Sequence, residues 1–354
     1  MVKKLIFVIL SALMVFFLAD NDAVLYHAPV ATVLSVSNKS QITTDEFGNH
    51  DTQVTQTVYL QLLNQTHEKL TLTSISSRSE ATTPLYKTGQ QVILTKENGT
   101  FTIQTLKRDA LILALFTLFS GLLLCFIRLK AALFLLLSLA ANFVYYLAAL
   151  SLNLAANNAM LLIFSGLCVL FVASSCAFVL GFTRQMLWTL VTTLATMLAT
   201  FLLVGGILTL TGNSGIHFEY LDYVTLNPEL LFFAGTLISV LGAIMDACSD
   251  IVVGLFGVFR QNPALTTTQL FRSGRHIGEE IIGTLTGVLF MIFMAETLPM
   301  TLLLLRNGNN WNTILTIGLN LGIFQTLISA IGILLALPIS SALAAFSLTK
   351  RRNA

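Results

Sequence analysis

Charge is what this sequence has least of. Of 354 residues only 10% are Asp, Glu, Lys or Arg, against 55% apolar, whereas a water-facing globular surface draws on roughly a quarter of charged residues. An ordinary soluble enzyme is excluded, and the composition places the chain in a bilayer. The net charge is only +2, which excludes the basic face or stripe of a nucleic-acid binder. Cysteine is scarce as well. Cys125, Cys168, Cys176 and Cys248 all lie in apolar runs with no Cys-x-x-Cys among them, so neither a disulfide framework nor a zinc site is suggested. They read as small buried hydrophobes. His-Glu-x-x-His, Gly-x-Ser-x-Gly and a phosphate-binding glycine loop are all missing, so the reading is of a non-enzyme without a cofactor or metal.

The charges that are present are unevenly spread. Residues 20–109 carry 16 of them, while the 240 residues from 110 to 349 carry 15. Two regions facing two solvents follow. An apolar helix needs about 20 residues to cross the hydrocarbon core, and eight runs qualify: Leu5–Ala19, Ala110–Ile127, Ala131–Leu150, Ala159–Gly181, Met186–Leu210, Leu230–Phe259, Ile281–Leu305 and Thr313–Phe346. The first follows Lys3 and Lys4 and has no clean small-x-small cleavage site after it, so residues 1–19 read as an uncleaved anchor.

Lys and Arg near span ends mark the cytoplasmic side. With the N-terminus inside, the inner segments hold Lys3, Lys4, Arg128, Lys130, Arg184, Arg260, Arg272, Arg275, Lys350, Arg351 and Arg352, and the short outer loops hold only Arg306. Both termini are therefore expected in the cytoplasm, with residues 347–354 as a basic tail and residues 20–109 outside. The expected home is the plasma membrane.

Between residues 24 and 106 the pattern turns to short β-prone stretches at Ala31–Val36, Val54–Leu63, Lys69–Ser76, Gln91–Thr95 and Thr100–Leu106. Apolar and polar residues alternate in Thr57-Val58-Tyr59-Leu60-Gln61-Leu62. Turn chemistry separates the stretches at Asp45-Glu46-Phe47-Gly48-Asn49, Tyr86-Lys87-Thr88-Gly89 and Glu97-Asn98-Gly99-Thr100. Five such strands suit a small all-β domain, an OB- or SH3-like barrel. His27, His50 and His67 fall here with no metal-ligand spacing.

The remaining residues, 110–346, read as a seven-helix membrane domain, in which every ionisable residue is a functional candidate because it costs about 2.5–3.5 kcal/mol at a helix centre. Asp246 and Asp250 stand one turn apart on the sixth span. At 1.5 Å per residue Asp246 is about 24 Å from Leu230, near mid-membrane. Gly235, Ser239, Ala243 and Ala247 form a small-residue ridge on the same helix, so both carboxylates are expected to face protein or a wet cavity. Glu279 and Glu280 are expected in the first turn of the seventh span, complementing the helix dipole and within reach of Arg272 or Arg275 at a cytoplasmic mouth. Gly283-x-x-x-Gly287, Gly242, Gly318 and Gly322 read as close-packing positions, and Glu296, near Pro299, as interfacial. Pro338 interrupts the eighth run, and Thr192, Thr196 and Thr200 form a polar stripe on the fifth.

Several of these pieces form a pattern. Gly242-Ala243-Ile244-Met245-Asp246, Leu270-Phe271-Arg272-Ser273-Gly274-Arg275, Ile277-Gly278, Gly283-Thr284-x-Thr286 and Leu298-Pro299 resemble the YibE/F-like family of bacterial multi-span membrane proteins. The core of the resemblance is residues 230–305, and it extends more loosely over most of the chain. Asp246, Arg275, Glu280 and Thr284 sit on matching positions. The family pattern has a small polar residue where Asp250 stands and commonly Asn where Gly287 stands. The resemblance implies an integral membrane protein of a family suspected of transport. The leading reading is a transporter or permease with Asp246 as a mid-membrane cation or proton site and Asp250, Glu280 and Thr284 along the pathway. The competing reading is a non-transporting assembly or sensing component that binds a partner through its β-domain. The expected partners are the lipid bilayer and a second copy or a related membrane subunit; the substrate is not specified.

Overall fold

The computed structural model describes residues 2–44, 50–64, 68–80, 83–97, 99–155, 159–212, 215–218 and 227–350. The predicted turn at Asp45–Asn49, His67, Asn98, Glu219 and Asp222, and Arg351 and Arg352 of the basic tail lie outside the described residues. The chain divides into two compact units, residues 1–132 and 133–354.

The first unit holds a two-helix hairpin and a β-barrel. Helices α1 (Val2–Asp20) and α2 (Asp109–Phe126) pack along each other, and Gly121 admits the Val8 side chain where a Cβ would lie only 2.6 Å from it. Between them run β1 (Val30–Thr44), β2 (His50–Leu62), β3 (Lys69–Ser77), β4 (Gln91–Glu97) and β5 (Thr100–Leu106). Every pairing is antiparallel, in the order β3-β2-β1-β4-β5. The outer strands β3 and β5 approach each other, which gives the connectivity of a partly open barrel of the OB kind. Its core is the inward set of the alternating pattern: Ala31, Val33, Val58, Leu60, Leu62, Val92 and Leu94, with Tyr86 from the loop before β4. Strand β1 is far longer than expected. It pairs with β2 to its tip but with β4 only at Val30–Thr32, so its other edge from Leu34 to Thr44 takes no strand among the described residues.

A polar joint ties the barrel to the hairpin. Lys107, whose side chain is 2% exposed, forms ion pairs with Asp22 (2.8 Å) and Asp109 (3.2 Å) and donates to the Ala19 carbonyl at the end of α1. The Tyr26 hydroxyl donates to Asp109 Oδ2 at 2.7 Å. Burial pulls the Lys107 pKa down, but its two carboxylate partners outweigh that and hold it above the usual lysine value. Burial, and then the Asp109 contact, push the Tyr26 phenol up to about 12.

The second unit holds the remaining spans: α3 (Leu129–Ala155, which begins in the first unit), α4 (Met160–Leu180), α5 (Arg184–Thr211), α6 (Pro228–Gln261), α7 (Thr267–Arg306) and α8 (Trp311–Lys350). With α1 and α2 there are eight helices long and apolar enough to cross a membrane among the described residues, and the chain is a multi-pass membrane protein. Helix α8 packs on α5, α6 and α7, and α6 packs on α5 and α7, with α4 against α5 and α6. Two helix starts differ from expectation for a local reason. Asn227 caps α6 by accepting from the Glu229 and Leu230 amides, with Pro228 in the first position. Thr266 and Gln269 form a reciprocal capping box, so α7 starts at Thr267 and not Ile281. Glu279 and Glu280 are consequently three turns inside the helix and do not cap it. Helix α8 passes through Pro338 without a break and carries a π-helical stretch at Ile314–Leu319 near its start.

In this unit the close approaches fall at two of the expected glycines, Gly318 and Gly322, and at four others. Gly274 lies against Ser341 and Leu255, Gly278 against Leu337 and Ile251, Gly254 against Ile277, and Gly332 against Ile244. Gly318 and Gly322 face Leu304 and Phe293, whereas open space lies beside Gly242, Gly283 and Gly287. Among the described residues no tight contact forms at Gly283-x-x-x-Gly287, because α7 turns its Gly274 and Gly278 face, not that one, toward α6 and α8.

Candidate functional site

Helix α6 is two-faced. Val240, Leu241, Ile244, Ala247, Cys248, Ile251, Val252 and Leu255 are buried against the neighbouring spans. Gly235, Ser239, Gly242, Asp246, Asp250 and Val253 recur at three- and four-residue intervals and are all exposed. Both carboxylates therefore lie on an open face of this chain's bundle, where the expectation is protein or a wet cavity. The small-residue ridge does not contradict this, since it winds from Gly235 and Ser239 on the open face through the half-buried Ala243 to the buried Ala247. No ion pair reaches Asp246 or Asp250 among the described residues, and neither belongs to the Arg275–Glu279 pair on α7.

That pair is local. Arg275 Nε donates to Glu279 Oε1 at 2.7 Å, one turn along α7, and both groups are exposed, so it adds little stability. Arg272, Glu280 and Thr284 are exposed on the same helix, and the Thr284 hydroxyl donates to the Ile281 carbonyl. The structure thus places Asp246 and Asp250 together on α6 but brings no α7 acid into an ion pair or hydrogen bond with them.

Near the start of α6 the open face meets a polar pocket of about 150 Å³ lined by Ser239, Glu296 of α7, and Gly322, Gln325, Thr326 and Ser329 of α8, with Leu289, Ile292 and Phe293 completing its wall. Glu296 is here a pocket carboxylate, not merely an interfacial one. The sequence did carry a signal: Gln325, Thr326 and Ser329 put three polar side chains within five residues of an apolar span. What it lacked was the pairing of α8 with α7 that sets Glu296 opposite them. A second, mostly apolar cavity of about 660 Å³ opens between α3, α4, α6 and α8, and shares Gly322 and Gln325 with the polar pocket.

The threonine stripe of α5 has a different setting. Thr192, Thr196 and Thr200 are fully buried. Thr192 donates to the Trp188 carbonyl and Thr200 to that of Thr196, each at 2.8 Å, as hydroxyls in apolar helices commonly do. The Thr196 hydroxyl meets Cys248 Sγ at 3.6 Å, which makes this stripe a helix seam. All four cysteines are free, with Cys168, Cys176 and Cys248 buried and Cys125 half-buried.

No curated protein and no solved structure matches the chain. The YibE/F family N-terminal domain matches residues 24–106, which include the whole barrel. The YibE/F-like protein family matches residues 115–350, from early in α2 to the end of α8. The chain therefore belongs to the YibE/F-like family.

Proposed function

We propose that this protein is a bacterial plasma-membrane transporter whose pathway follows the open face of α6, from the Glu296 pocket through Ser239 and Gly242 to Asp246 and Asp250. The observation that carries the proposal is that Ser239, Asp246 and Asp250 share one face, whose upper end is a polar pocket and whose middle holds two carboxylates that no ion pair reaches among the described residues. Carboxylates facing acyl chains are costly, so the face is covered in use. A second copy of the chain, meeting it around Gly242, is the partner the small side chains favour. Asp246 is the mid-membrane cation or proton site, and Glu280, Thr284 and the Arg272, Arg275 and Glu279 group stand at the cytoplasmic mouth. The Lys and Arg distribution supports cytoplasmic termini and an outer barrel.

Proton or cation flux into proteoliposomes tests this directly. Asp246→Asn should lower flux by at least about tenfold, the effect of removing one essential charge-assisted contact; unchanged flux removes Asp246 from the mechanism.

The open edge of β1 favours a second reading, in which the barrel binds an extended partner segment by strand addition and the spans serve as its anchor in an assembly or sensing complex. Deleting residues 24–106 separates the two. Loss of the cellular phenotype with a silent Asp246→Asn supports the binding role, and retained phenotype on deletion removes it.

A further inference from the structure

The two cavities beside α6 differ in chemistry and share a wall. The larger one, about 660 Å³, is lined chiefly by apolar groups such as Leu150, Met160, Phe164 and Ile238, with Tyr146, Asn153 and Gln325 as its hydrogen-bonding side chains. Its volume lies within the about 300–1,000 Å³ of ligand pockets. The smaller is polar and holds one carboxylate, Glu296, with the side chains of Ser239, Gln325, Thr326 and Ser329. Gly322 and Gln325 line both. No Lys or Arg lines either cavity, and no ion pair to Glu296 is present among the described residues.

We infer that these cavities form one binding site for an amphiphilic cation, with its apolar body in the larger cavity and a protonated amine against Glu296. The division of the lining selects the class. A phosphate or carboxylate head would meet Glu296 with no basic group to offset it, which disfavours the anionic lipids of the bilayer. A wholly apolar ligand would leave the polar pocket unfilled. The lining residues of α6, Leu231 to Ser239, lie within its first third, so a ligand enters from one leaflet, the outer one in the orientation given above. The site rests on the transporter reading only in being called a substrate site; as a binding site it stands independently.

Gly235 supplies a clean test, because it lines the larger cavity and a Cβ there meets no atom within 4 Å. Gly235→Leu should fill the cavity without disturbing the bundle. The full chain in phosphatidylcholine nanodiscs is titrated with a fluorescent long-chain alkylamine and with the alcohol and phosphate monoester of equal chain length. Saturable binding is expected, strongest for the amine and weakest for the phosphate. Gly235→Leu should weaken amine binding by at least about tenfold, since even one excess methylene in a fitted pocket costs that much. Glu296→Gln should leave the alcohol bound while removing the preference for the amine. Unchanged amine binding in Gly235→Leu, or an unchanged amine preference in Glu296→Gln, would overturn the inference. Because no flux is measured, a silent Asp246→Asn in transport would not affect this outcome.

Discussion

The two units handle charge in opposite ways. In the first, Lys107 is almost wholly buried and has Asp22, Asp109, the Ala19 carbonyl and the Tyr26 ring around it; each charge has an opposite partner and the group acts as a joint. In the second, Asp246 and Asp250 stand one turn apart with no basic side chain paired to them among the described residues, and Glu296 lines a pocket with neutral polar side chains. Buried charge that serves stability is kept paired, because a lone partner left behind costs several kcal/mol. Carboxylates retained in apolar spans without that compensation are kept for another purpose.

This contrast is open to direct challenge by mutation. The largest effect is expected at the joint: Lys107→Met strands two carboxylates and should destabilise the first unit by about 3–5 kcal/mol, read by hydrogen exchange of β4 and β5. Packing should come next. Gly274→Leu drives a side chain into Ser341 and Leu255 and should cost about 1–3 kcal/mol, whereas Gly283→Leu, beside open space, should leave the melting temperature in nanodiscs unchanged. Tyr26→Phe removes one hydrogen bond to Asp109 and should cost about 1 kcal/mol. The smallest effect is predicted at the functional acid, since Asp246→Asn breaks no ion pair and should shift stability by no more than about 0.5 kcal/mol. A large loss of stability there would make Asp246 a structural residue and erase the contrast.

The joint also has a pH signature. Lys107 and Tyr26 both have folded pKa values raised above their ordinary ones. Their contribution is therefore complete below about pH 10 and is lost as pH rises through the raised values, with Tyr26 near 12. Alkaline titration of tyrosine absorbance should show Tyr26 and the buried Tyr86 as late phenols; the phase that disappears in Tyr26→Phe is the one that loosening of the barrel from α1 and α2 should accompany.

Much of this was readable from residue order. Eight apolar runs gave eight helices, and alternation in Thr57–Leu62 gave the buried Val58, Leu60 and Leu62 of the barrel. Strand order was not readable, because an OB- and an SH3-like barrel share alternation and differ in which strands meet. The start of α7 was misplaced because hydropathy follows the apolar run, whereas the helix begins at a polar capping box that is local and specific. What covers the face of α6 was not readable for a related reason: a small-residue ridge marks where helices come close but not which chain supplies the partner. Glu296 gained its setting only from the packing of α7 on α8, a contact between residues about thirty apart in sequence and thus invisible to local pattern.

The central claim is that the open face of α6 is a wet, covered pathway and not a surface against lipid. Asp246→Cys in a Cys125→Ser background, with the other cysteines buried, puts a thiol at its middle. In intact membranes a small water-soluble thiol reagent should label it, and labelling should fall when Gly235→Leu narrows the way in. Labelling by a lipid-soluble reagent alone would contradict the account.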